Sequence, residues 1–378
     1  MNVIDIEKKC VGCGACVDVC PKNVLSLKPN ADGFYEPRIV GETCIDCNQC
    51  VRVCPAIEPF KGARDSDYYY GWANDERIRA QSTSGGAFST LANEILKSGG
   101  VVFGAKYSED RKAVEMASTE ECDLDALRKS KYCQARSCGL YKKMAQELQA
   151  GKKVMLTGTP CQITAARKYF GENENLLLVA FICGGVIPDK VLREHVEWLE
   201  KKYKSEVEYI NIRDKSKGWS TMRIQVGFKN GKVYQRYYKF DYYYYYYTPN
   251  LKNEQCMTCS FTNHDAVDIS IADFWGFRKE KIQNDDKGMS LICAHTEKGK
   301  AIVAQIKDKM ILHPLKEEQA QYAFREKQHT AAAIRKRAEF LRQVRETSFI
   351  RAARKNFFKG GMAVVFIKTV IGKILRRK

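Results

Sequence analysis

The chain has 378 residues, 63 Lys+Arg against 45 Asp+Glu for a net charge of +18, and 16 cysteines. That length passes the ~250 residues at which a single core usually stops growing, so two or three domains are expected, and 44% hydrophobic content excludes global disorder. The first ten residues, MNVIDIEKKC, hold no apolar stretch of the kind a cleaved secretory signal needs. The cysteines therefore read as metal ligands or reactive thiols of a cytoplasmic protein, not as a disulfide framework.

Half of the cysteines fall within the first 54 residues. Cys10, Cys13, Cys16 and Cys20 spell C-x-x-C-x-x-C-x-x-x-C before Pro21, and Cys44, Cys47, Cys50 and Cys54 repeat the spacing before Pro55. This is the two-cluster bacterial ferredoxin pattern, in which the fourth ligand of each run serves the other cluster. It predicts one 4Fe-4S cluster on Cys10, Cys13, Cys16 and Cys54 and a second on Cys44, Cys47, Cys50 and Cys20. Two zinc sites would not need a duplicated triad with a remote Cys-Pro. The polar stretch 58–67 marks a boundary, giving a ferredoxin domain over 1–62, an α+β module.

Residues 68–73 read as a strand. Gln81-Ser82-Thr83-Ser84-Gly85-Gly86 then opens a helix over Ala87–Lys97, an arrangement that suits an anion or is simply a helix cap. Strand and helix alternate through Val101–Tyr107, 140–150, 153–157, 163–170, 176–182 and 191–202, which predicts an α/β domain with a mostly parallel sheet. Residues 222–228 and 233–238 flank Asn230-Gly231, a hairpin signal, so an antiparallel insertion is expected. The six tyrosines 242–247 read as an aromatic packing face. A strand over 267–272 ends at Asp273-Phe274-Trp275-Gly276, where an acid and an indole could flank a flat cofactor or form a turn and a core residue.

Of the remaining eight cysteines, Cys161 and Cys183 end apolar strand-like runs, where α/β sheets bind ligands, and Cys256-Met-Thr-Cys259 has ligand spacing. Spacing alone leaves a third cluster and buried free thiols as equal alternatives. Cys122, Cys133, Cys138 and Cys293 lack such context and read as packing residues.

Gln81 to Gly86, Lys131-Tyr132 with Gln134, Gly158-Thr159-Pro160-Cys161-Gln162, Ile182-Cys183, Cys256-x-x-Cys259 and Asp273 to Gly276 occur in an order that resembles the coenzyme F420 hydrogenase/dehydrogenase beta-subunit family, here following a dicluster ferredoxin. The resemblance spans residues 1–320. It implies an iron–sulfur flavoprotein oxidoreductase of anaerobic type, passing electrons between clusters and a flavin that exchanges hydride with a small molecule such as the deazaflavin coenzyme. It implies a third 4Fe-4S cluster on Cys161, Cys183, Cys256 and Cys259. It also implies a flavin, FAD rather than FMN, contacted by Ser82, Ser84, Gly85, Gly86, Thr159, Gln162 and Asp273. Where the family often has Ile-Cys-His-Gly this chain has Ile182-Cys183-Gly184-Gly185, and Cys133 stands for valine in Lys131-Tyr132-Cys133-Gln134, so no proton-transfer role of that histidine carries over. The alternatives are an electron-transfer subunit of a larger complex without its own substrate site, and a cluster-dependent disulfide reductase using Cys256 and Cys259.

The oxidoreductase domain is expected over 63–320, in parts 63–150 and 151–320, followed by a basic helical tail over 321–378. Residues 333–378 carry 14 Lys+Arg against 2 Glu, with Ile334, Ala338, Leu341, Val344 and Phe349 at helical spacing. Such an end suits an anionic membrane surface at the inner face, an acidic partner, or the core itself; nucleic acid is not expected, because no base-reading motif accompanies the charge. The expected partners are a redox protein or subunit and a small-molecule hydride acceptor or donor.

Overall fold

The computed structural model describes residues 3–4, 10–41, 43–57, 60, 65–324 and 327–360. Most of the polar stretch 58–67 and all of 362–375 lie outside the described residues. The strands in chain order are β1 Leu25–Pro29, β2 Tyr35–Ile39, β3 Asp67–Ala73, β4 Val101–Tyr107, β5 Val114–Ser118, β6 Ala135–Arg136, β7 Val154–Gly158 and β8 Leu176–Phe181. They continue with β9 Val207–Asp214, β10 Arg223–Phe228, β11 Val233–Tyr237, β12 Thr258–Cys259, β13 Ile269–Asp273, β14 Ser290–Ala294, β15 Met310–Leu315 and β16 Lys327–Gln328.

Nine of them form one sheet in the order β15-β3-β14-β13-β8-β7-β4-β5-β6. Its centre, β13-β8-β7-β4, is parallel, and its flanks close with antiparallel pairs at β13–β14, β14–β3, β3–β15 and β4–β5. Central strands covered on both faces should be apolar throughout. β8 is, and β7 is but for Thr157, with every residue from Val154 to Gly158 and from Leu176 to Ala180 buried. The helices Ala87–Lys97, Leu140–Gln149 and Pro160–Phe170 bury Leu91 and Ile95, Tyr141 and Met144, and Ile163 and Ala166. The hairpin expected around Asn230-Gly231 is β10–β11, joined antiparallel by β9 into a separate three-stranded sheet.

β14 and β15 close one flank and carried little sequence signal. β15 contains His313 and Pro314, and proline is tolerated there because β15 is the sheet's edge. β14 is a short apolar run of a kind that periodicity cannot separate from helix.

Of the tyrosine run, Tyr243, Tyr245 and Tyr246 are core residues. The helices Ala331–Glu346 and Phe349–Gly360 pack onto this core through Phe340, Leu341, Val344, Phe349 and Ala353. The described part of the basic tail thus lies against the protein, with Ala338 exposed and Arg337 buried, its Nε donating to Lys252 O. No helix among the described residues is long and apolar enough to cross a membrane.

Candidate cluster and cofactor sites

The N-terminal module builds two cysteine groups. Cys10, Cys13, Cys16 and Cys54 lie close enough to disfavour one another's ionisation, and burial pushes Cys10 up to about 11 and Cys13 and Cys16 higher. Four close thiols, Cys13 and Cys16 buried and Cys10 and Cys54 half-buried, are unfavourable as free thiolates, and a metal centre is what makes such a set of anions stable. Cys20, Cys44, Cys47 and Cys50 line a second, small cavity with Pro21, Val24 and Ile45, and of these Cys44 and Cys47 are exposed. Cys10, Cys13, Cys16 and Cys54 thus lie together and largely covered, and Cys20, Cys44, Cys47 and Cys50 lie together with two of the four exposed.

The inner set is joined to the domain of the nine-stranded sheet through side chains. Asp18 accepts from Gly139 N at 2.8 Å and Tyr141 N at 2.9 Å, so the module caps the helix Leu140–Gln149. Gln134 accepts from Tyr35 N at 2.8 Å and packs against Gly12, where an added Cβ would stand 2.0 Å from Gln134 Nε2. Gly12, at φ +69°, donates its N–H to Cys10 Sγ at 3.2 Å. Glycine is needed there both for the left-handed backbone and for that close approach.

The third group is set by strand ends. Residues 158–162 turn from β7 into the helix Pro160–Phe170, with Pro160 in the first turn. Gln162 Oε1 accepts from Thr159 N and Thr159 Oγ1 at 3.0 Å each, and Gln162 Nε2 donates to Ser137 Oγ at 3.1 Å. This fixes Cys161 in the helix's first turn, with Thr159 Oγ1 3.1 Å from its sulfur, where the dipole favours an anion. Cys183 follows β8 and accepts from Gly185 N at 3.3 Å. Gly185, at φ +93°, lies so near Cys256 that an added Cβ would be 2.9 Å from Cys256 Cβ. Burial pushes Cys161 well up and Cys256 to about 12, and the neighbouring sulfurs of Cys183 and Cys259 add to both rises. Among the described residues no three His, Cys, Asp or Glu converge as ligands of one ion do. Thiolates of a four-iron cluster each bind a different iron, so they stand further apart than ligands of a single ion.

That group forms one wall of a cavity of about 680 Å³ along the C-terminal ends of β7, β8 and β13. Its lining takes in Val11 and Gly12 from the inner ferredoxin set, Ser82, Thr83, Ser84 and Gly86 before the helix Ala87–Lys97, and Asp273 and Trp275 after β13. Arg128, Lys129, Lys131 and Arg213 are its basic residues, and Asp273 is its one acid among the described residues. Lys131 is partly open to the cavity; burial of its ammonium pushes it down to about 7, while Arg128 O at 2.6 Å and Lys129 O at 3.3 Å favour the charged form. Among the described residues, two buried polar atoms in this lining have no partner, Thr157 Oγ1 and Arg213 Nη2.

The sequence-derived residues divide by role. Ser82, Ser84, Gly86, Thr159, Gln162 and Asp273 all reach the cavity wall. Ser82 Oγ is committed to Ile78 O and Ser84 Oγ to Met289 O, so they hold the loop's shape. Gly85 is not in the wall. Its N–H goes to Ser290 Oγ, and an added Cβ would meet Gly71 O at 2.5 Å, so this glycine is demanded by the strands behind the loop. Arg213, Thr157 and Lys131 have cavity roles that motif reading did not assign. Cys133 and Cys293 are buried, Cys122 is half-buried and Cys138 is exposed.

Three family models match the chain: coenzyme F420 hydrogenase/dehydrogenase beta subunit, N-term, over residues 68–140; the C terminus of the same subunit over 151–319; and a 4Fe-4S dicluster domain over 9–56. No curated protein matches. Among solved structures, a chain of the F420-reducing NiFe hydrogenase complex from Methanosarcina barkeri, studied by xenon derivatization, is similar at 17% identity. The match covers 76% of this chain and 94% of that chain, with a TM-score of 0.49.

Proposed function

Since the chain belongs to the coenzyme F420 hydrogenase/dehydrogenase beta-subunit family and carries a 4Fe-4S dicluster domain ahead of it, we propose that it is an iron–sulfur flavoprotein oxidoreductase that exchanges hydride with a small molecule. The observation that carries this reading is the one cavity wall shared by Cys161, Cys183, Cys256 and Cys259, the Gly12 turn of the inner ferredoxin set, and the loop before the helix Ala87–Lys97. A third 4Fe-4S cluster belongs on that cysteine quartet and a flavin in the cavity. The unpartnered Thr157 Oγ1 and Arg213 Nη2 and the excess of basic side chains suit an anionic, oxygen-rich occupant of that size. A bound flavin there supplies the conversion between one-electron and two-electron chemistry.

The chain's own part is placement. Exposed Cys44 and Cys47 put the outer quartet where a redox protein can reach it. The inner quartet adjoins the cavity, and buried Tyr141 lies near enough to both Cys13 and Cys161 to feel the charge of each. Arg128, Lys129 and Lys131 form the basic side facing the loop 82–86, where Ser130 N donates to Thr83 Oγ1, and they are assigned to the flavin phosphate. The small molecule is of the class named by the family, a deazaflavin coenzyme or a comparable hydride acceptor.

Exposed Ile39, Val40 and Ile45 beside the outer quartet favour one further reading, that the chain works docked to a redox partner subunit. The test is anaerobic purification with iron, sulfide and flavin quantitation. About twelve irons and one flavin per chain are expected, from three four-iron clusters. About eight irons and no flavin would overturn the flavoprotein reading and leave a ferredoxin-like electron carrier.

A further inference from the structure

Arg213 is the most constrained cation in the cavity. It is 6% exposed, and its Nη1 donates to Asp273 Oδ2 at 2.7 Å and to Tyr132 OH at 3.4 Å. Asp273 in turn accepts Trp219 Nε1 on its other oxygen at 3.1 Å. Trp219 lies flat on Trp275, with ring centroids 4.3 Å apart and planes within 2°, and the guanidinium carbon is 5.7 Å from the Trp275 ring centre. Asp273 thus grips an arginine and an indole at once, and neither can swing. The second arm, Nη2, is buried and has no partner among the described residues.

Leaving a buried charged donor unpaired is costly, so an acceptor belongs at Nη2. An exchanging substrate would strip that donor bare at every turnover, whereas a resident group would not. Resting on the reading that a flavin fills the cavity, we propose that Arg213 is the fixed cation that stabilises the anionic reduced flavin. A flavin that takes up two electrons and one proton keeps a negative charge on its pyrimidine ring. A preorganised cation in a site shielded from water stabilises that charge far more than one in solvent. Guanidinium does not deprotonate, so Arg213 holds charge in place and carries no proton. Asp273 is the positioning residue for it.

The experiment uses the full-length holoprotein, with flavin content measured first. Absence of flavin from the wild type would end the proposed function itself; the outcomes below concern Arg213 alone. In the wild type, the flavin midpoint potential on the acid side of neutrality should follow one proton per two electrons, about 30 mV for each tenfold change in proton activity. Sulfite is the second probe: its electron pair forms the bond to oxidised flavin and leaves a negative charge on the same ring. Arg213→Gln keeps a donor for Asp273 and removes the charge. It should weaken sulfite binding about tenfold or more, lower the potential by the matching ~30 mV, and bring in the second proton. Arg213→Lys should retain most of the wild-type behaviour. Unchanged sulfite affinity and potential in Arg213→Gln would overturn the proposal, and a raised KM for the hydride acceptor at unchanged potential would assign Nη2 to the substrate instead. If Arg213→Gln does not hold flavin, the wild-type slope decides, since uptake of two protons there overturns the proposal without any variant.

Discussion

The outer and the cavity cysteine quartets are built from the same ligand chemistry and set in opposite surroundings. Cys44 and Cys47 of the outer set are exposed, on a rim where Ile39, Val40 and Ile45 are 50%, 56% and 52% exposed. The cavity set is held from behind by a capped helix turn at Cys161 and by glycine-tight packing of Gly185 on Cys256. Buried Lys252 stands beside it, donating to Gly185 O at 3.0 Å. Exposure and local charge are the main levers on cluster potential. On the function proposed above, the outer set meets a partner and the half-buried cavity set exchanges electrons with a bound cofactor.

The largest way to break this comparison is to remove one ligand from each set. Cys256→Ala should lose about four irons and keep both ferredoxin clusters, while Cys47→Ala should lose the outer cluster and keep the cavity's flavin. Anaerobic iron and flavin analysis reads both. Full iron retention in Cys256→Ala removes that residue from the ligands.

A second test loosens the joint between the regions. Gly12→Ala places a Cβ against Gln134 and forces a left-handed alanine, at a cost of about 1–2 kcal/mol. A lower unfolding midpoint with slower flavin reduction through the module is expected. An unaltered midpoint would mean that Gln134 moves aside freely and the joint is loose.

The rim is tested by Ile45→Asp. The KM for a protein electron donor should rise roughly fivefold or more while turnover with dithionite stays the same. Equal effects on both donors would show damage to the cluster instead of to docking.

The smallest expected effect is at Gly184, where the family often carries histidine. Nothing lies within 4 Å of an added Cβ there, and the residue lines the cavity. Gly184→His should keep all clusters and change stability by no more than about 0.5 kcal/mol. Loss of iron in this variant would mean that the space beside Cys183 is needed by the cluster.

Sequence spacing carried the dicluster because cubane ligation writes itself locally, in two triads and two Cys-Pro steps. The parallel centre was legible for a similar reason: a buried strand such as β8 is an unbroken apolar run between helices. The helix Ala87–Lys97 coincides with its sequence expectation. β14 and β15 were not legible, because what makes them strands is pairing with β3, far away in the chain. The same distinction runs through the site. Cys161 and Gln162 sit in one motif, and their geometry is local. Arg213 gained its role only when β9 brought it beside Asp273, 60 residues on. Gly85 shows the opposite case, a glycine read as a flavin contact whose requirement comes from Gly71 and Ser290 behind it. Gly85→Asp would disrupt the sheet and report nothing about a phosphate.

The central claim is that electrons from the module reach the cavity through the quartet of Cys161, Cys183, Cys256 and Cys259. It is tested most directly by stopped-flow reduction of the holoprotein with a one-electron donor, wild type against Cys161→Ala, each checked for equal flavin content. Flavin bleaching should be slowed at least tenfold in Cys161→Ala, while a hydride donor reduces the flavin of both proteins at the same rate. Equal bleaching by the one-electron donor in both proteins would contradict the claim and leave the inner ferredoxin set, at Val11 and Gly12 of the cavity wall, as the direct donor.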